Sequence, residues 1–378
     1  MISRTLKLKP TTTQAARLDE WLMIGASVWN WGLARLIHTE REHSARRENF
    51  ASLCAATRGH AVRVGVDAMA FQAILKDLCR AWGEYRSGVR GRPRWKGARN
   101  RMASIPFRNE KRANNLRIQD AKHVRLPKLG LIRCRVHSDW PPGQILTARL
   151  QRRARGWYLT VVIDAEPKTI PLVGDEAVGI DLGFSTLATL SNGEKIEHPR
   201  EYEFLERRIG QAQRGHNTRL HGRLQQSLAL ARRKRNHAIS RDLVSRFGAI
   251  YVSKDNLRAF QRRGFGKSVL SAAHGELRTM LATKCRQAGR VYVEVPNKNS
   301  TRTCSSCGAL TGPQGLRGLS VRVWACACGA THDRDVNAAI NTLKLGAVLA
   351  HESARESAPE IGRDFLVRQP PVTPPEGR

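Results

Sequence analysis

Negative charge is what this 378-residue sequence is short of: 32 Asp and Glu stand against 65 Lys and Arg, for a net charge of +33. The shortage is sharpest over residues 207–241, where ten basic residues occur without one acid. Long apolar runs are missing as well. No stretch of about 18 apolar residues offers a membrane span, and the opening MISRTLKLKP lacks the apolar core of a secretory signal. The expected setting is therefore the cytoplasm or the nucleoid, with no membrane partner. Without a secretion signal, paired cysteines read as metal ligands before disulfides. A hydrophobic content of 41% suits two or three modest domains with real cores, so the basic excess belongs to folded surfaces. A polyanion, nucleic acid above all, is the partner such a surface fits.

Of the eight cysteines, Cys54, Cys79, Cys134 and Cys285 lie apart in apolar or mixed surroundings and read as buried free thiols. Cys304, Cys307, Cys326 and Cys328 cluster. Four thiolates around tetrahedral Zn2+ usually come as two Cys-x-x-Cys knuckles. The first pair has that form, and the second is one residue shorter, which leaves His332 as a further candidate ligand. The competing reading is a set of reduced thiols in a ribbon held by packing. Zinc here would be structural, because a closed four-thiolate site has no open position for chemistry.

Residues 1–12 read as a strand, and residues 14–38 and 67–85 carry helical periodicity, the former with Leu18, Trp21, Leu22, Trp29 and Leu33 on one face. A basic irregular stretch follows at residues 90–97, where Arg92, Arg94 and Lys96 suit phosphates and Trp95 suits a base face. A solvated linker is the alternative there. Short alternating segments between residues 115 and 164 predict a small antiparallel barrel or sheet. A second domain is expected from residue 173: an apolar strand ending at Asp181, a hairpin at Asn192-Gly193, and one long basic helical stretch containing Arg232, Arg233, Lys234 and Arg235. Then come a strand at 249–252, a helix near 268–288, a strand at 290–295 and the cysteine region. Strands alternating with helices argue for an α/β layer. The tail from residue 353, rich in Pro and charge, reads as poorly ordered.

Two-metal phosphodiester hydrolysis needs several carboxylates converging on a pair of divalent cations about 3.5–4 Å apart. Asp181, at the end of an apolar strand between Gly179 and Gly183, is placed as such an acid would be.

Gly179-Ile180-Asp181-Leu182-Gly183, Trp29-Asn30-Trp31, Pro93-Arg94-Trp95-Lys96, the LPKLG turn and CSSCG…CG.THDRDVNAAIN, in this order and spacing, resemble TnpB, the transposon-encoded RNA-guided nuclease ancestral to type V CRISPR effectors. The resemblance covers nearly the whole chain. It implies a multidomain α+β protein: an oligonucleotide-binding-like wedge barrel (1–12 and 115–172) interrupted by a helical recognition insertion (13–114), then an RNase H-like RuvC domain (173–302 and 329–350) with an inserted zinc ribbon (303–328), and a disordered tail (351–378). It further implies a guide RNA from a transposon end or derived locus, a double-stranded DNA target beside a short flanking motif, and a Mg2+-dependent centre in which Asp181 and Asp335 match the first and last acids.

The middle acid does not match. Where the family has an apolar strand ending in Glu-Asp-Leu-Asn, Ser253 falls on the glutamate and Lys254 on its neighbour, when Asn256, Arg258 and Ala259 anchor the alignment. A neutral hydroxyl and a cation replace two negative charges, and metal binding should weaken. Asp255 after a two-residue shift, or Glu294 near the end of the VYVEV strand, is a possible substitute. The position where some relatives and the Fanzor proteins relocate a glutamate resembles Asn297. Three readings follow: a DNA-occupying, repressor-like RNA-guided binder with an impaired nuclease, an active endonuclease with a relocated acid, and a decayed transposon product.

Overall fold

Alternation of apolar and polar residues builds the first half of the chain around strands. The computed structural model describes residues 1–42, 48–98, 100–108, 116–136, 140–166, 170–199, 201–254, 272–314, 318 and 320–357. The chain divides into two compact units, Met1–Lys168 and Thr169–Arg378.

In the first unit, β1 (Ile2–Lys9) leads into α1 (Thr12–Arg41), whose start is fixed by a capping box between Thr11 and Gln14. Leu18, Trp21, Leu22, Val28, Leu33 and Leu36 form its buried face. Two short helices, α2 (Phe50–Ala56) and α3 (His60–Arg63), precede α4 (Ala68–Arg86), which Asp67 caps by accepting the Ala70 amide. The strands β2 (Ser104–Arg108), β3 (Arg117–Ile118), β4 (His123–Leu126), β5 (Gly130–Cys134), β6 (Gln144–Arg153) and β7 (Gly156–Asp164) join β1 in an antiparallel sheet of order β2-β6-β7-β1-β5-β4-β3. β2 adds a strand inside residues 13–114, a span read from the sequence as a helical insertion with irregular stretches. Its Ile105 and Phe107 are buried, and Pro106 is tolerated because β2 ends the sheet.

The second unit carries β8 (Ala177–Leu182), β9 (Thr186–Leu190), β10 (Lys195–Glu197), α5 (Glu201–Arg214), α6 (Thr218–Arg246), β11 (Ala249–Lys254), α7 (His274–Ala288), β12 (Val291–Pro296), β13 (Val323–Ala325), β14 (Thr331–Asp333) and α8 (Arg334–Ser357). Its five-stranded sheet runs β10-β9-β8-β11-β12. The β8–β11 and β11–β12 pairs are parallel, and the hairpin strands β8, β9 and β10 are antiparallel. Gly179 sits where α8 crosses β8: a Cβ there would stand 2.1 Å from the Ala339 carbonyl oxygen, so only glycine admits the helix. Ala338 and Ala339 are correspondingly sealed.

Two further readings change. The basic stretch is not one helix but the pair α5 and α6, broken at residues 215–217, where His216 takes a φ of +50° and Asn217 caps α6 by accepting the Leu220 amide. α8 continues through Ser357, beyond residue 351 where a tail was expected.

Candidate functional site

Parallel pairing of Ile180 with Val252 carries the next residues, Asp181 and Ser253, to the same end of the sheet. Asp181 is half-buried and lines a cleft of about 400 Å³ with Phe184, Ser185, Asn297, Arg322 and Asp335. Ser253 is fully buried, and its Oγ accepts a 3.0 Å hydrogen bond from the Leu182 amide.

Asp335 lies in the first turn of α8, where the helix dipole favours a carboxylate. Its Oδ2 is 3.3 Å from the Arg322 guanidinium, whose other terminal nitrogen donates to Ser185 Oγ at 3.4 Å. The two acids of the Asp-Arg-Asp triplet therefore do different work. Asp333 accepts the amides of Asp335 (3.0 Å) and Val336 (3.1 Å) and pairs with Lys195 at 2.7 Å. Burial alone would raise the Asp333 pKa, but the Lys195 ammonium and these amides hold it below the usual carboxylate range.

Glu294 is engaged elsewhere. Its carboxylate pairs with Lys254 at 3.3 Å, lies 3.9 Å from Arg278 and accepts the Tyr292 hydroxyl at 3.3 Å. Burial, then the Glu294 charge, raises the Tyr292 pKa. Asn297, an amide, is the residue following β12 that lines the cleft. Asp255 lies outside the described residues.

Four residues escaped sequence reasoning. Arg322 is one. Asn337 and Asn341 are two more: both donate to the carbonyls of Ser300 and Thr303, and Asn337 Oδ1 also accepts the Ser305 amide at 2.8 Å. Their spacing of four residues on one helix face was the available signal. The fourth is His274, buried at the head of α7, whose Nε2 donates to the Gly183 carbonyl at 2.9 Å while its ring stacks on Phe184. Burial drives its pKa down to about 4, so the imidazole is neutral near pH 7. The loop that follows Asp181 is thereby held from α7.

The four clustered cysteines converge. Their sulfurs all lie within 4.8 Å of one another, with Cys304–Cys328 at 3.8 Å and Cys307–Cys326 at 3.6 Å. Zn–S bonds of about 2.3 Å in a tetrahedron put sulfurs about 3.8 Å apart, so the set fits zinc. Each knuckle ends on a left-handed glycine. Gly308 donates to the Cys304 carbonyl, and in the shorter turn Gly329 donates to that of Cys326, both at 2.9 Å. The backbone amide of Cys328 and then the Thr311 hydroxyl draw the Cys326 thiol down to about 6. His332 Nε2 stands 3.0 Å from Cys304 Sγ, beside the thiolates rather than in place of one.

The basic residues named from the sequence divide by environment. Arg233 and Lys234 are exposed and Arg232 is half-buried, whereas Arg235 turns inward, pairing with Glu201 at 2.7 Å and donating to the Ala272 carbonyl at 2.8 Å. In the first unit, Arg92, Arg94 and Trp95 are exposed or half-exposed and Lys96 is half-buried over the Trp29 ring. No described helix is long and apolar enough to cross a membrane.

Two protein-family models match: "Cas12f1-like, TNB domain" over residues 274–342, and a "Helix-turn-helix domain" of the OrfB/IS605 type over residues 1–43. The second span holds β1 and the single helix α1. A Streptomyces pristinaespiralis protein, provisionally named an RNA-guided DNA endonuclease, is 33% identical over 208 residues, 51% of this chain and 51% of its own. InsQ of Escherichia coli K12, named in the same provisional terms, is 27% identical over 309 residues, 74% of this chain and 75% of its own. The match thus spans about half the length of the first relative. A solved Cas12f1–sgRNA–target DNA complex shares the fold at a TM-score of 0.56 and 13% identity, over 88% of this chain and 83% of that one. Fold and site define a multidomain α+β protein with an acid-bearing sheet and a four-cysteine knuckle pair. In both matched segments and in these relatives the chain is similar to the TnpB family.

Proposed function

We propose that this protein is an RNA-guided DNA-binding member of the family whose nuclease centre is impaired, so that it occupies a DNA site, repressor-like, without cutting it. The antiparallel sheet of the first unit serves as the wedge barrel and its helices as the recognition insertion. The five-stranded sheet with α8 serves as the RuvC-like, RNase H-type domain, and residues 303–328 as a ribbon in which Cys304, Cys307, Cys326 and Cys328 hold structural Zn2+. A guide RNA and double-stranded DNA beside a short flanking motif are the partners. The names of the relatives, the RNA and DNA in the Cas12f1 complex and the net charge of +33 support them. A chain so basic acts on the nucleoid.

The observation that carries the reading is Ser253. Two-ion hydrolysis asks for converging negative charge, and at this position a neutral hydroxyl is spent on the Leu182 amide. Lys254 beside it is cationic and ties up Glu294, and Arg322 sits against Asp335. Two carboxylates and a guanidinium do not fit a pair of Mg2+ ions. The cleft can still present Arg322 to a phosphate. The reading in which Glu294 supplies the third acid is opposed by the same Lys254 and Arg278 contacts.

The test is plasmid cleavage with Mg2+ by the purified protein and its co-expressed RNA. Guided binding without cleavage is expected, unchanged in Asp181→Ala. Cleavage that Asp181→Ala abolishes would overturn the proposal.

A further inference from the structure

Three consecutive carbonyls of the basic loop in the first unit are each held by a side chain. Trp29 Nε1 donates to the Arg94 carbonyl at 3.1 Å, Asn100 Nδ2 to that of Trp95 at 2.9 Å, and Asn30 Nδ2 to that of Lys96 at 2.8 Å. Asn30 Oδ1 also accepts the Lys96 amide at 2.7 Å, so this side chain pairs with the loop as a strand edge would. Gly97 and Asn100 close a small antiparallel bridge just beyond. The backbone is thus fixed on either side of one residue, and that residue's side chain is left outside: Trp95 is 52% exposed.

An indole half exposed on a pinned backbone lies outside the buried core of the first unit. Its neighbours are cations: Arg94 is exposed, Arg92 lies over the Trp82 ring and near Glu40, and Lys96 lies over the Trp29 ring. Trp29 and Trp82 therefore already hold Lys96 and Arg92, while Trp95 stays about half exposed between positively charged residues. Sequence-tolerant binding of an unpaired strand uses this combination, an aromatic face for the base and cations for the flanking phosphates.

We infer that Trp95 is a stacking platform for one unpaired nucleobase of a bound strand, with Arg94 on the adjoining phosphate. This rests on the nucleic-acid-binding function proposed above. Preorganisation is part of the device: the side chains of Trp29, Asn30 and Asn100 already hold the loop backbone, so little ordering cost remains when the base arrives.

The experiment uses the full chain, stripped of bound nucleic acid in high salt, with fluorescein-labelled single strands and duplexes of about 20 nucleotides, a length that exceeds the site size of one binding fold. Affinities are read by anisotropy. Trp95→Ala weakens single-strand binding by about tenfold, the worth of one base–aromatic stack, and leaves duplex binding nearly unchanged. Trp95→Phe stays close to the parent, and Trp95→Leu behaves as Trp95→Ala. All three variants keep the parent's thermal midpoint. The inference is overturned by an unchanged single-strand affinity in Trp95→Ala or by an equal loss on duplex. Full activity of Trp95→Leu would also overturn it, since that outcome marks an apolar contact such as a protein partner makes, and so would a shifted thermal midpoint, which marks a packing role. Failure of the unaltered chain to bind either probe overturns the proposed function along with it. Binding that Trp95→Ala leaves intact overturns this inference alone.

Discussion

Ser253 Oγ accepts the backbone amide of Leu182 across the β8–β11 pair, one residue beyond Asp181. A buried amide that loses its partner costs about 1–3 kcal/mol. Ser253→Ala should lower unfolding stability by that amount in urea titration. On the proposed reading Ser253→Glu supplies a third acid, and the expected outcome is Mg2+-dependent nicking by the variant and none by the parent. A Glu variant as inert as the parent, with guided binding intact, counts against the serine as the lesion.

The ribbon should carry about one zinc per chain, read by elemental analysis, and Cys304→Ser should abolish it. His332 acts from beside the cluster, so His332→Phe should keep the stoichiometry while weakening affinity about 10- to 100-fold in chelator competition. Loss of zinc altogether in His332→Phe would instead make the histidine a ligand.

Neighbouring cations on α6 should separate into two phenotypes. Replacing Arg232, Arg233 and Lys234 together by Ala should weaken nucleic-acid binding and flatten the slope of log affinity against log salt by roughly 0.9 for each phosphate left without its cation. Arg235→Ala should spare the salt slope and destabilise the fold by about 3 kcal/mol, because it strands Glu201, its partner at 2.7 Å.

Acid should loosen the second unit through His274. Burial lowers its folded-state pKa to about 4, with Arg278, His198 and Arg235 adding to that direction and the Gly183 carbonyl opposing it. The unfolded chain, titrating near 6.5, binds the proton first. Stability is therefore full above about 6.5 and falls as pH drops from there toward 4. Urea midpoints at pH 7 and pH 5 measure the loss, and His274→Phe, which keeps a ring against Phe184, should reduce it.

The family resemblance, the cysteine cluster and the strand that ends at Asp181 are legible in the sequence, because each is a short motif whose chemistry is local. The inward turn of Arg235 is not, because a run of four basic residues circles the helix and only the packing of α5 tells which one is enclosed. The resemblance singles out Asp335, but the pattern does not tell what Asp333 does: two residues apart at a strand-to-helix junction, Asp333 caps α8 and Asp335 lines the cleft. β2 was hidden by a proline that only an edge strand tolerates. The engagement of Glu294 was hidden too, since its partners lie on β11 and α7, far off in sequence.

The unequal knuckles bear on how this chain can change length. A turn that ends on a left-handed glycine donating back to its first cysteine can lose a residue and still close, as the 326–329 turn shows beside the 304–308 turn. The second knuckle is thus one residue shorter than the first with the four thiols still converging. The strand bearing Gly179 has no such slack: a shift of one residue would drive a Cβ into the backbone of α8 and turn Asp181 to the opposite face of the sheet.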